Sequence, residues 1–153
     1  MNPDEIIRIL GLSPHPEGGA FCETYRSAIE AKVDPTRSVC TAIYFLLREG
    51  QPTSWHSVLH DEIYHFYAGY PLELSIIDLK GDFQRVVLGT DLESGQRPQI
   101  LIPGTFWQSA RTLGAFTLIG CTVSPGFDFN DFKLASIEEL TMQFPRIFHQ
   151  LNP

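Results

Sequence analysis

The chain has 153 residues, 43% of them hydrophobic, and a formal charge of −7 from 18 acidic against 11 basic side chains. That length suits one domain, residues 1–153, with a sizeable core. The acidic balance argues against nucleic acid or an anionic membrane as partner, because both are held by basic patches. No apolar run approaches the length of a membrane span, and the start MNPDEIIRILG lacks the basic, small-residue pattern of a secretory signal. Cys22, Cys40 and Cys121 form no CxxC pair, so a disulfide framework and a thiolate zinc site are not expected, and the cytoplasm is the expected compartment.

The chain opens with a short predicted helix. Asn2 is placed to cap it, Pro3 suits its first turn, Glu5 completes a capping box and Gly11 ends it. From about residue 17 to 132 the pattern changes to short runs rich in Val, Ile, Thr, Tyr and Phe, broken by Gly, Pro and Asp clusters. Strands are predicted at Ala20–Arg26, Ser38–Leu47, Ser54–His60, Glu62–Tyr67 and Leu72–Asp78. Four more are predicted at Phe83–Leu88, Gln99–Ile102, Phe106–Ala110 and Phe116–Val123. Many short strands without intervening helices predict an antiparallel sandwich or barrel. A second capping box at Ser136–Glu139 starts a closing helix that Pro145 ends near Phe144.

Chemistry concentrates in the span SWHSVLHDEIYHFYAG, where His56, His60 and His65 lie beside Asp61 and Glu62. Alternate residues of a strand share a face, so Glu62, Tyr64 and Phe66 group together with His65 opposite. A hairpin would bring His56 and Glu62 together. His15 reads as a loop residue held between Pro14 and Pro16, and Glu17-Gly18-Gly19 as a flexible entry to a strand. Phe127, Phe129 and Phe132 suit either closure of a barrel end or ligand stacking, and the three cysteines read as buried thiols.

The span resembles the first cupin motif, G-x5-H-x-H-x3-E-x6-G, with Gly50, His56, Glu62 and Gly69 in register and Val58 at the second histidine. Pro103 matches the second motif, G-x5-P-x-G-x2-H-x3-N, with Thr105 at its glycine and Gln108 at its histidine. His15–Gly19 (HPEGG), Glu23–Ser27 (ETYRS), Thr41–Leu47 (TAIYFLL), Pro71–Leu74 (PLEL), Trp107-Gln108 and Ser124–Phe129 (SPGFDF), in that order, resemble the cupin-5 family. The resemblance implies an all-β cupin double-stranded β-helix, a jelly-roll barrel with short N- and C-terminal helices. It further implies a homodimer, a small-molecule pocket between the sheets, and a likeness in fold to dTDP-sugar epimerases.

Three functions follow as expectations. In the first, an isomerase- or epimerase-like enzyme acts on a small polar molecule, such as a sugar or sugar nucleotide, by proton transfer. His56 is its acid or base and Glu62 its partner; Tyr64, Phe66, Trp107 and Phe129 wall the pocket, and Gln108 binds the substrate. In the second, a non-catalytic module uses the same residues to hold a ligand. In the third, a divalent metal sits on His56, Glu62 and Gln108; the loss of two motif histidines weighs against it, so no cofactor is expected.

Overall fold

Residues 2–152 are described by the computed structural model. The first capping box forms as its residues dictate. The Asn2 side chain accepts from Glu5 N–H at 2.9 Å, and the Glu5 carboxylate accepts from Asn2 N–H at 3.1 Å. Helix α1 (Pro3–Leu10) follows and stops at Gly11, whose left-handed backbone (φ 65°) lets its N–H reach Ile7 O. Ile6 and Leu12 pack on Leu46, which fastens the helix to the outer face of a sheet.

Strands follow at β1 (Ser13–Pro14), β2 (Ala20–Arg26), β3 (Glu30–Ala31), β4 (Arg37–Ser38) and β5 (Thr41–Arg48). Next come β6 (Trp55–Val58), β7 (Asp61–Gly69), β8 (Leu72–Ile77) and β9 (Phe83–Leu88). The last four are β10 (Gln99–Ile102), β11 (Trp107–Thr112), β12 (Phe116–Ser124) and β13 (Phe132–Ala135). Two antiparallel sheets face each other, one in the order β1-β2-β5-β12-β7-β10 and one in the order β13-β6-β11-β8-β9; β3 and β4 form a separate ribbon. The fold is an all-β jelly roll with short terminal helices. The Ser136 capping box starts α2 (Ile137–Gln143), which ends before Pro145, and α3 (Phe148–Leu151) closes the described chain.

Alternation sets the inner faces. Along β8, Leu72, Leu74 and Ile76 point inward and are at most 2% exposed, and on β12 Ile119 and Cys121 are likewise buried. Each large aliphatic side chain so buried contributes about 1.5–3 kcal/mol. This core fills one end of the barrel and leaves the other end open as a cavity. All nine expected strands are present. Their ends differ by up to three residues, as where Ser38–Leu47 becomes Thr41–Arg48.

The structure corrects two expectations. Strand β13 was not anticipated, since Phe132 reads as part of an aromatic cluster; it pairs with β6, setting Leu134 opposite His56. Also, β6 and β7 are not a hairpin. The chain turns a corner at Leu59-His60, so β6 belongs to the five-stranded sheet and β7 to the six-stranded one. His56 and Glu62 therefore come from facing sheets.

Candidate functional site

The cavity has a volume of about 410 Å³. Its polar residues include Glu17, His56, Glu62 and Cys121; its apolar wall includes Phe21, Phe45, Phe129 and Phe132. Glu23 and Arg26 also line it, tied to each other at 2.6 Å, and Arg26 donates a further bond to Phe127 O.

Glu17 arrives by way of the glycine pair that follows it. Gly18 and Gly19 both have positive φ (106° and 75°), and a Cβ on Gly19 would stand 2.9 Å from Leu46 O and 2.8 Å from the Leu47 side chain. Only glycine permits that approach. The loop therefore folds down onto β5, and Glu17 O accepts from Ser54 N–H at 2.7 Å. The Glu17 side chain enters the barrel with 8% of the residue exposed. Just before it, His15 Nδ1 accepts from Glu17 N–H at 3.2 Å, and its ring meets Phe21 edge-on at 4.6 Å.

His56, on β6, is buried with Nδ1 at 2.9 Å from Ser54 O and Nε2 at 3.1 Å from Glu17 Oε2. A carbonyl oxygen only accepts, so Nδ1 carries a hydrogen. Nε2 and the carboxyl oxygen are then bridged by a single proton. Burial, reinforced by the nearby His15, depresses His56 to about 4 despite the favourable Ser54 bond. Burial, together with repulsion from Glu62, raises Glu17 well above the ordinary carboxylate range. Both effects place the proton on Glu17, which donates it to a neutral His56. His15 is likewise pushed down to about 4 by burial.

Glu62 and Gln108 form a second chain of bonds. Gln108 Nε2 donates to Glu62 Oε2 at 2.8 Å, and Tyr64 Oη donates to Gln108 Oε1 at 2.7 Å. Burial raises Glu62 to about 7, against the lowering effect of its bonds from Gln108 and Cys121. Burial foremost, with the proximity of the Glu62 and Glu17 carboxyl groups, raises the Cys121 thiol well above its ordinary range.

The structure thus redistributes the expected site. His56, Glu62 and Phe129 line the cavity. Gln108, paired in register with His56 across β6 and β11, lies behind Glu62 and is 1% exposed. Tyr64 is buried behind Gln108, Phe66 packs on the core, and Trp107 packs with α2 and α3 around Ile77, Leu140 and Leu151; none of the three lines the cavity. His56 is paired with Glu17 rather than with Glu62. Sequence reasoning missed Glu17 and His15. The sign was present in HPEGG: a carboxylate directly before two glycines is set where the backbone can turn inward. His65 lies outside, against Thr122, Gln99 and Tyr67.

The four positions of the metal-binding cupin motif hold His56, Val58, Glu62 and Gln108. Val58 has no lone pair, and both polar atoms of the Gln108 amide are engaged by Tyr64 and Glu62. Among the described residues no three His, Cys, Asp or Glu side chains converge as a metal site. This donor set does not fit a divalent metal.

A jelly roll with a cavity lined from both sheets defines the cupin class. The chain belongs to the cupin superfamily (DUF985), whose family model matches residues 4–135. A hypothetical protein from Leishmania major superposes with a TM-score of 0.92 at 29% identity, covering 99% of this chain and 97% of the other. A protein from Shewanella oneidensis gives a TM-score of 0.91 at 38% identity, covering 99% and 96%. Oxalate decarboxylase from Bacillus subtilis is similar in fold alone, with a TM-score of 0.59 at 13% identity over 91% of this chain and 35% of the enzyme. No curated protein matched. No helix among the described residues is long and apolar enough to cross a membrane.

Proposed function

We propose that the barrel binds a small ring-bearing polar molecule, of the size of a sugar or the sugar end of a sugar nucleotide, and exchanges a proton with it. The observation that carries this reading is the Glu17–His56 pair at 3.1 Å, holding one proton in a cavity walled by aromatic rings. Phenylalanine faces suit the apolar face of a ring, and buried carboxyl groups suit its hydroxyls. Glu17 gives its proton to the ligand as His56 Nε2, released from that bond, takes one from it, and return of the proton from His56 to Glu17 restores the pair. Gln108 and Tyr64 act as positioning residues, fixing the Glu62 carboxyl from behind.

The test is incubation of the protein in D2O with a panel of monosaccharides and nucleoside diphosphate sugars, followed by proton NMR. Exchange of a ring C–H that is lost in Glu17→Ala and His56→Ala supports proton transfer. Binding without exchange assigns a non-catalytic module instead.

From the family likeness we also propose a homodimer. Tyr67 and Leu101 on the outer face of the six-stranded sheet are 52% and 53% exposed, which supports pairing of two copies there. Light scattering at micromolar concentration is expected to give twice the 17.2 kDa chain mass; a single-chain mass would refute it.

A further inference from the structure

We infer that the cavity selects ligands whose buried end donates hydrogen bonds or carries positive charge, and rejects those with a carboxylate or phosphate there. The inference rests on the proposed pocket and narrows its ligand class. It is carried by the placement of charged groups. Glu17 and Glu62 reach the cavity from different elements, the loop before β2 and strand β7. Among the described residues the sole Lys or Arg side chain lining it is Arg26, near the exposed end of β2, already paired with Glu23 and Phe127 O.

Every polar group that meets the buried end of a ligand is thus acidic or neutral. His56 Nε2 receives the Glu17 proton, and its Nδ1 hydrogen is spent on Ser54 O. His15 Nδ1 is occupied by Glu17 N–H, and its ring is enclosed by Phe21, Phe45, Phe129 and Phe132. An anionic head would enter beside two carboxyl groups with no cation to offset its lost hydration. An ammonium or hydroxyl head finds carboxyl oxygens that accept its hydrogens, and a positive charge favours ionisation of Glu62.

The experiment uses three probes that share a phenyl ring and differ in the head: benzylamine, benzyl alcohol and benzoate. Affinity is measured by calorimetry at pH 7.5, and occupancy of the cavity by NMR shifts at Phe129 and Phe132. Benzylamine is expected to bind at least about tenfold more tightly than benzoate, with benzyl alcohol between them. Glu62→Gln should lower the benzylamine affinity by about tenfold and leave benzyl alcohol within about threefold. Glu17→Gln supplies the same comparison should Glu62→Gln fail to fold. Benzoate bound in the cavity as tightly as benzylamine would overturn the selectivity and leave the pocket standing. Failure of all three to bind would count against both.

Discussion

His56 Nε2 lies 3.1 Å from Glu17 Oε2, while the opposite nitrogen of the ring lies 2.9 Å from the Ser54 carbonyl oxygen. That second contact determines the first. The ring's own hydrogen is committed to Ser54, so the proton toward Glu17 is one that the pair shares. Burial of both groups disfavours the ion pair and leaves a neutral imidazole accepting from a neutral acid.

The shared proton makes glutamine and alanine unequal at position 17. Glutamine carries an N–H that can donate to His56 Nε2, whereas alanine leaves that nitrogen buried and unpaired. Glu17→Ala should destabilise by about 1–3 kcal/mol, and Glu17→Gln by less than about 1 kcal/mol. Chemical denaturation at pH 7 measures both. Equal losses would contradict the neutral pair.

Glu62 should make stability depend on pH in an unusual direction for a carboxyl group. Its folded value is about 7 against an ordinary 4.5, so between those values the native state holds the extra proton. Stability from this group is complete below about 4.5 and is lost as pH rises through about 7. His15 and His56, lowered to about 4, act oppositely between 4 and 6.5 and mask the trend in the wild type. The difference between Glu62→Gln and wild type isolates it. The variant should gain on the wild type by up to about 3 kcal/mol between pH 4.5 and 8. A difference independent of pH would place Glu62 in the ordinary range.

Gly19→Ala should be strongly destabilising, by more than about 2 kcal/mol, because its Cβ would meet Leu46 O at 2.9 Å at a φ of 75°. The backbone must move to accept it, and Glu17 moves with it. Thermal unfolding reads the stability, and NMR shifts of His56 read the displaced acid. A variant as stable as the wild type with an unchanged His56 would contradict the role assigned to the loop.

Thr105 sits at the motif glycine and is the one described non-glycine residue with positive φ, 68°. A β-branched residue is strained there. Thr105→Gly should stabilise by about 0.5–1 kcal/mol, less than the full relief because glycine gains freedom in the unfolded chain. Loss of stability would show that the bond from Thr105 Oγ1 to Gly104 O outweighs the strain.

The nine strands β2 and β5–β12 and both capping boxes were legible because their signals are local, whereas β13 and the two-residue strands β1, β3 and β4 were not. Leu72, Leu74 and Ile76 announce an inward face by alternation, and Asn2 with Glu5 announces a helix start by spacing. His56 and Glu62 were found through motif spacing, and both face the cavity. Their partners depend on contacts distant in sequence. Glu17 lies 39 positions before His56 and reaches it only because β6 and the loop before β2 meet at Ser54. Gln108 meets Glu62 across 46 positions. Trp107 adjoins Gln108, but strand alternation sends it to the opposite face, toward the C-terminal helices.

The most direct test of the central claim is nitrogen-15 NMR of the imidazole rings across a pH titration. His56 should appear as the neutral Nδ1–H tautomer at pH 7 and remain neutral at pH 5.5, with Nε2 accepting a hydrogen bond. In Glu17→Ala its Nε2 resonance should move to that of a free ring nitrogen. A doubly protonated His56 at pH 6, or a resonance indifferent to Glu17→Ala, would contradict the shared-proton pair.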